Sequence, residues 1–439
     1  MNKVAVTFVI VVISLAVIIQ MDFSAEDIMP DIKPQSVSSA DIYNQYSIDY
    51  NLLNNIQYIK DNSLSLTDNR LLSVLITQDM NGIKKLINKI SSPNIIYHYQ
   101  TEDYSAAIPL IFLAIGSENN EIIDAVFALP NINLSVIAKL PMNDTDDGRT
   151  VLTNVSPLAY AVYINNIYAV EKLIKLGVDV NQKMPTNRTA AFFARTKACL
   201  DLLINNGADI DTKSLPGNTP LIQAVIRNNL IVAYELISNK VNPNQHNKAN
   251  ATPLTIAINK KNINMVKMLI ANGADVNYFA SDSQAPLMIA VGNADLQIFN
   301  LLINMGADVN HVNKLGKTCI YYMQAFQEQW TIWRAMVKAL KGKININHQD
   351  INGDTVLHIN PERYWLYKEL NPDLNIQNNH GDTPLHILMR KSDNTDIILS
   401  LIKGGAKIDI QNKDNETALD IAVEKNNEKI INLLKNTNL

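Results

Sequence analysis

A short opening pattern recurs along this chain at a fixed step of 33 residues, and this step constrains the fold more than any other feature. The openings are Thr219-Pro220-Leu221, Thr252-Pro253-Leu254, Ala285-Pro286-Leu287 and Thr318-Cys319-Ile320. A step of this size is typical of a repeat array, in which each unit packs against its neighbours. The sequence therefore predicts a line of stacked units rather than one globular core.

The unit that begins at Thr252 shows what each repeat encodes. Thr252 can cap a helix by accepting a backbone hydrogen bond, and Pro253 suits the first turn because it has no N–H to lose. Apolar residues then recur at helical spacing in two stretches, and Gly273 ends the second because Gly readily adopts a left-handed cap. Two short helices cannot bury an apolar face alone, so neighbouring units must stack.

These residues resemble the ankyrin repeat family. The match is carried by Thr383-Pro384-Leu385-His386 and by Gly-Ala-Asp at 207–209, 273–275 and 306–308. The resemblance implies an all-α fold, an α-solenoid of about eleven helix-turn-helix repeats with short hairpin turns. It also implies a concave face that binds proteins, and hydrogen bonds from His358 and His386 to a neighbouring repeat.

Several repeats depart from the regular length. The cap and the Gly that ends the second helix lie 21 residues apart in four repeats, the last pair being Thr383 and Gly404. Fifteen extra residues precede the opening at Ser156, and we expect them to form a loop over 142–155. The repeat opened by Thr189 is three residues short, and the one opened by Thr318 is three residues too long between its cap and Gly342.

The amino terminus differs from the repeats. Lys3 precedes residues 4–19, which are apolar except for Thr7 and Ser14. This composition is typical of a signal peptide or a membrane anchor rather than an amphipathic core helix. We assign 1–20 to a hydrophobic helix that is either cleaved or kept as an anchor, 21–60 to a linker with a candidate capping helix, and 61–439 to the array. The flanking charges favour an array on the non-cytoplasmic side, membrane-anchored or secreted.

Charge and cysteine usage exclude few partners. The net charge is −4 and no basic stripe is visible, so a nucleic-acid partner is not indicated. Cys199 and Cys319 lie too many repeats apart to form a disulfide, and both are expected to be buried. We attribute the abundance of Asn, Ile and Lys to an AT-rich genome rather than to chemistry.

No motif in the chain requires catalysis. Gly316-Lys317-Thr318 lacks the earlier Gly of a phosphate-binding loop, and the acidic run at 144–148 lacks the final acid of a calcium loop. The seven histidines have no zinc-ligand spacing. We therefore predict no catalytic, cofactor-binding or metal-binding residue, no cofactor and no enzymatic activity.

Aromatic residues mark the most irregular part of the array. All three tryptophans, Trp330, Trp333 and Trp365, lie close together, and the cluster at 321–367 is either repacked core or a contact surface. Turn tips supply the other candidate contacts. The candidate partner contacts are Lys213, Lys248, Tyr278, Phe279, His311, Asn313, Trp330 and Trp333.

The sequence thus predicts an exported or membrane-tethered scaffold that binds a protein partner, such as a bacterial protein acting on a host. One alternative is a periplasmic or envelope enzyme-support protein, or an enzyme with a site in 142–155 or 318–367. Another is a viral or protist cytosolic array whose first residues form an unusual cap. The identity of the partner and the oligomeric state stay open.

Overall fold

A computed structural model describes residues 66–100, 105–143, 150–278, 284–323 and 329–436, all within one compact unit. Helices dominate these ranges. In the first half, α1 to α9 are Leu66–Ile76, Met80–Leu86, Leu110–Gly116, Asn120–Phe127, Pro157–Tyr163, Ile167–Lys175, Lys197–Asn205, Pro220–Ile226 and Leu230–Ser238. In the second half, α10 to α20 are Pro253–Asn259, Ile263–Ala271, Pro286–Gly292, Leu296–Asn304, Trp330–Leu340, Val356–Ile359, Tyr364–Tyr367, Pro384–Lys391, Thr395–Lys403, Ala418–Glu424 and Glu428–Asn436.

The helices form pairs that stack in two layers. In two repeats a 3-10 turn replaces the first α-helix, at Ala190–Phe193 and Cys319–Tyr322, and with these turns the described residues contain eleven helical pairs. First helices contact first helices of the adjacent repeats, and second helices contact second helices. This agrees with the predicted helical solenoid of about eleven repeats.

Two antiparallel β-hairpins interrupt the helices in the first third of the array. Strands β1 (Ile96–Gln100) and β2 (Ser105–Pro109) form the first hairpin, and β3 (Ala138–Asn143) and β4 (Thr150–Val155) form the second. The prediction of a loop over 142–155 was therefore wrong at both ends of this range, because these residues lie in β3 and β4. Leu140, Met142 and Val155 are buried, and this burial explains why the insertion is ordered as strands.

Caps begin the regular first helices as predicted. The hydroxyls of Ser156, Thr219 and Thr252 accept hydrogen bonds from backbone N–H groups three residues on, at 3.1–3.2 Å. Thr189 and Thr318 do not cap in this way, because each opens a 3-10 turn. There the N–H three residues on bonds to the carbonyl of the Thr itself, at 3.2 Å in both repeats.

Left-handed residues end the second helices. Gly177, Gly207, Gly273 and Gly306 have φ between 81° and 91°, as the repeat pattern predicted. The prediction was wrong by one residue for Gly404, whose φ is −79°, and Gly405 takes the left-handed conformation instead. A Cβ on Gly404 would lie 2.2 Å from the Tyr364 hydroxyl, so Gly404 is required for packing rather than for its dihedral angles.

Asparagine side chains join successive repeats at the turns after the second helices. Six of them each donate to a carbonyl and accept from an N–H of the next repeat, at 2.7–3.2 Å. They are Asn94, Asn181, Asn244, Asn277, Asn310 and Asn375. Asp211 occupies the equivalent place after Gly207 but has no amide donor. At these six positions Asn therefore has a structural use that the sequence analysis did not predict.

Close approach of neighbouring turn tips explains the glycines at those tips. A Cβ on Gly316 would lie 3.0 Å from the backbone nitrogen of Ile351, and Gly316 has a φ of 69°. The N–H of Ile351 donates to the carbonyl of Leu315 in the same contact, at 3.2 Å. Gly316 is thus an element of repeat stacking, which agrees with the rejection of a phosphate-binding loop.

The hydrophobic segment 1–20 and the linker 21–60 lie outside the described residues. None of the helices described here combines the length and the apolar composition that a bilayer crossing needs.

Candidate functional site

The inner face of the array, defined here as the surface formed by the first helices, is its more closely packed side. Neighbouring first helices such as α8, α10 and α12 approach one another more closely than the second helices α9, α11 and α13 do. Ala224, Ala257 and Ala290 are buried in these first helices, and small side chains allow such an approach. An array packed more tightly on one side bends toward that side, so the inner face is expected to be concave.

Three arginines lie on aromatic rings of the inner face near the repeat opened by Thr189. The guanidinium of Arg188 is 4.2 Å from the ring centroid of Phe193, and that of Arg227 is 6.0 Å from the same ring. Arg195 lies 4.0 Å from the ring centroid of Tyr163. We call these five residues the inner arginine cluster. Stacking on rings holds guanidinium groups in defined orientations and leaves their edges able to donate hydrogen bonds.

Long side chains at the ends of first helices also reach back to the preceding repeat. Arg227 donates to the carbonyl of Phe192 at 2.6 Å, Lys391 to that of Ile359 at 3.2 Å, and Lys425 to that of Met389 at 3.2 Å. A cation near the last carbonyls of a helix is favourable because these groups carry partial negative charge. These side chains therefore join neighbouring repeats as well as carrying positive charge to the inner face.

The structure brings several of the predicted turn-tip contacts together. Lys213 is exposed, and its Nζ donates to the carbonyl of His246 at 3.3 Å. The His246 ring lies 6.4 Å from the half-buried ring of Tyr278. Lys248 is exposed on the same row of tips. These residues form a continuous edge beside the inner face, whereas Phe279 lies outside the described residues.

Asn313 has a structural role at its turn. Its Oδ1 accepts from the N–H groups of Leu315 and Lys317, and its Nδ2 donates to the Tyr322 hydroxyl at 2.6 Å. His311 on the same turn is half-buried. Both are therefore less accessible to a partner than the exposed lysines are.

The aromatic cluster is mainly core with an exposed edge. Trp333 and Tyr367 are 1% and 0% exposed, so the ring of Trp333 packs in the core and offers little surface to a partner. Trp330 is half-buried, and Trp365 is 37% exposed. Trp330 contacts both other tryptophan rings edge to face, with centroid distances of 5.4 Å to Trp333 and 4.9 Å to Trp365.

Both cysteines are free and buried, as predicted. Burial raises the pKa of the Cys199 thiol to about 11 and that of the Cys319 thiol to about 12. Neither thiol forms an appreciable thiolate at neutral pH, so neither is suited to nucleophilic chemistry.

His358 and His386 perform the predicted inter-repeat bonding. Nε2 of His358 donates to the carbonyl of Asp382 at 2.9 Å, and its Nδ1 accepts from the N–H of Thr355 at 3.0 Å. His386 pairs with Glu416 and Thr383 in the same pattern. Each ring therefore caps its own helix and holds the following repeat.

Groups suited to catalysis or metal binding are not concentrated anywhere in the described residues. These residues contain no cluster of three or more His, Cys, Asp or Glu side chains that could hold a metal ion. A cavity of about 130 Å³ opens beside the first hairpin and is lined mainly by apolar side chains, including Ile96, Leu110 and Ile132. The acidic run at 144–148 falls outside the described residues.

Sequence reasoning missed the inner arginine cluster. Arg188, Arg195 and Arg227 are separated by irregular repeat lengths, and no periodic pattern connects them with Tyr163 or Phe193. One signal was available, since Arg188 and Arg195 flank the two adjacent phenylalanines of a repeat that is three residues short.

Comparison with known proteins identifies the repeats. The family model for ankyrin repeats (3 copies) matches residues 188–280 and 363–439, and the model for a single ankyrin repeat matches 282–314. Over 97 residues the chain is 36% identical to palmitoyltransferase ZDHHC13 of Homo sapiens and of Pongo abelii. The mouse protein of that name is 32% identical over 96 residues. Each match covers 20% of this chain and only 15% of the length of the curated relative.

Proposed function

Because this chain is an ankyrin repeat protein, we propose that it is a scaffold that binds a protein partner along the inner face of its array. The observation that carries this proposal is the inner arginine cluster. Arginine and aromatic side chains dominate binding hot spots, because they combine apolar area with directed hydrogen bonds. The exposed Lys213 and Lys248 would extend the contact along the turn tips.

The geometry favours binding over reaction. At the ends of first helices the polar side chains already donate to carbonyls of adjacent repeats, as Arg227, Asn293, Lys391 and Lys425 do. A broad surface of this kind discriminates by many small contacts, with no covalent step.

Variants of the inner arginine cluster test this function. The full chain would be immobilised, a partner would be captured and identified, and its affinity would then be measured directly with purified protein. Reversing the charge with Arg188→Glu and Arg195→Glu is expected to weaken binding about tenfold or more. The matched control reverses two exposed lysines on second helices, Lys85→Glu and Lys175→Glu.

The control variant is expected to bind within about twofold of the wild type, since its charges lie away from the inner face. Equal weakening by both double variants, with both folded by circular dichroism, would contradict the inner-face assignment. Such a result would mean that binding depends only on the net charge of the chain.

We also propose that residues 4–19 deliver the array to a membrane or across one. Their composition, apolar except for Thr7 and Ser14 and without a charged residue, supports this. Cell fractionation combined with N-terminal sequencing of the mature protein tests it. An unprocessed chain found entirely in the cytosolic fraction would contradict both the cleaved and the anchored form.

A further inference from the structure

Arg363 is a buried cation in the aromatic cluster. Its side chain is 6% exposed, and its guanidinium donates to the carbonyl of Met323. It lies 5.8 Å from the ring centroid of Trp330 and 5.6 Å from that of Trp333. Among the described residues none of the ion pairs involves Arg363. Arg363 thus places a positive charge against the rings of Trp330 and Trp333.

The rings above Arg363 reach the surface of the second helices. Trp365 is 37% exposed and contacts Trp330 edge to face. The exposed Arg334 lies 5.7 Å from the Trp365 ring centroid. Stacking against this ring limits the orientations of the Arg334 guanidinium, and its free edge can then hold a carboxylate through two parallel hydrogen bonds.

Further cations continue the same strip. Trp330, Arg334, Lys338 and Lys341 follow one another at spacings of four, four and three residues, which place them on one face of α14 and its end. Lys338, Lys341 and Lys368 are exposed. We call Trp330, Arg334, Lys338, Lys341, Trp365 and Lys368 the outer cationic surface. The exposed Glu362 and Glu369 lie beside Trp365 on the neighbouring segment, and they only partly offset the four cations.

We propose that the outer cationic surface binds an acidic segment of a protein partner. Its carboxylates would pair with Arg334, Lys338 and Lys341, and its apolar side chains would pack on the exposed edge of Trp365. This surface lies on the second helices, so it is separate from the inner face and does not depend on the function proposed above. Charge complementarity selects the partner, and the tryptophan edge supplies apolar area.

The tryptophan content allows a direct test. The chain has three tryptophans, all in this cluster, so intrinsic tryptophan fluorescence of the full-length protein reports on this surface without a label. A synthetic twelve-residue peptide rich in Asp and Glu and lacking Trp would be titrated into the full chain in mild detergent. The emission is expected to shift with saturation, and the affinity is expected to fall as salt screens the charges. A Lys-rich peptide of equal length is expected to cause no shift.

Two double variants of equal charge provide the comparison. Arg334→Gln with Lys338→Gln is expected to weaken acidic-peptide binding about fivefold or more. Lys85→Gln with Lys175→Gln removes the same charge from exposed positions on second helices of distant repeats and is expected to leave the affinity unchanged. Trp365→Phe is expected to remove most of the emission shift, because this ring has the most exposed edge.

Three results would overturn the proposal. The first is no saturable binding of the acidic peptide by the folded wild type. The second is equal weakening in both double variants. The third combines a flat peptide titration with a membrane result. The wild type would sediment with vesicles containing one-third phosphatidylserine, and only the Arg334→Gln, Lys338→Gln variant would fail to do so. This result would assign the surface to an anionic membrane instead.

Discussion

Asn277 accepts a hydrogen bond from the backbone N–H of Asp308 in the next repeat, at 2.8 Å. Its amide nitrogen donates to the carbonyl of Gly306 at 3.2 Å. One side chain thus satisfies a donor and an acceptor across a repeat boundary. Because each unit of the array is stable only against its neighbours, such bridges couple the repeats as packing does.

Replacing Asn277 with Ala is expected to destabilise the array by about 1–2 kcal/mol, because two backbone groups lose their partner. Urea unfolding monitored by circular dichroism measures this change. Asn304→Ala provides the control, since this side chain is exposed on the second helix. An equal loss in both variants would mean that the bridge contributes nothing specific.

The array is expected to lose stability as the pH falls below the ordinary histidine value of about 6.5. Burial lowers the pKa of His358, and its Nδ1 already accepts from the Thr355 N–H. A group that is neutral in the fold binds more protons when unfolded, so acidification favours the unfolded state. The urea midpoint should therefore be lower at pH 5.5 than at pH 7.5.

The variant His358→Thr separates the contribution of His358 to the pH dependence of stability from that of other titratable groups. In the repeat opened by Thr252 a Thr at the same place, Thr255, completes the cap through its hydroxyl. The variant is expected to keep the cap, lose the bond to Asp382 and show a smaller change in midpoint between the two pH values. An unchanged pH dependence would assign the effect to other groups.

Because of the carboxylate of Asp382, we expect a second loss of stability at a lower pH. Burial alone would raise its pKa, but hydrogen bonds from Arg390 and Asn412 outweigh burial and lower the pKa below its ordinary value. Its contribution is present above the unfolded value of about 3.9 and is lost as the pH falls through the lower folded value. Asp382→Asn should weaken the array at pH 7 and reduce the loss seen below pH 4, as measured by thermal unfolding.

Gly404 and Gly405 are expected to resist substitution for different reasons. Gly405→Ala places a Cβ at a φ of 104°, whereas Gly404→Ala places one against Tyr364. Each substitution should cost about 1 kcal/mol or more of unfolding free energy. In a Tyr364→Ala background the cost of Gly404→Ala should fall and that of Gly405→Ala should persist. Denaturant unfolding of the two glycine variants, of Tyr364→Ala and of the two double variants measures both.

Replacing Trp333 and replacing Trp365 should lower the stability of the array by different amounts. Trp333→Ala removes a fully buried ring and is expected to cost about 3–5 kcal/mol of unfolding free energy. Trp365→Ala is expected to cost less than about 1 kcal/mol because its ring is partly exposed. Equal costs in denaturant unfolding would contradict the division of the cluster into core and edge.

Local chemistry made much of this fold readable from the sequence. A Thr or Ser before Pro, an apolar pair of helices and a terminal Gly each act within one repeat, so the helical pairs and most caps were predicted. The inter-repeat bonds of the histidines were expected from the resemblance to ankyrin repeats. Periodicity also predicted their order, because each unit contacts only the next. Residues whose role is set by a neighbour one repeat away were harder to assign, as Gly404 and the bridging asparagines illustrate.

Tertiary structure decided which side chains meet across irregular repeats. Arg188 and Arg227 share the ring of Phe193 where the first helix is a single 3-10 turn. Trp333 is buried and Trp365 is exposed because of the way α14 packs against α16. The strands of the insertion depend likewise on burial against adjacent helices. A pattern local to one repeat specifies the unit, whereas a surface is made by several units whose relative positions depend on packing at each boundary.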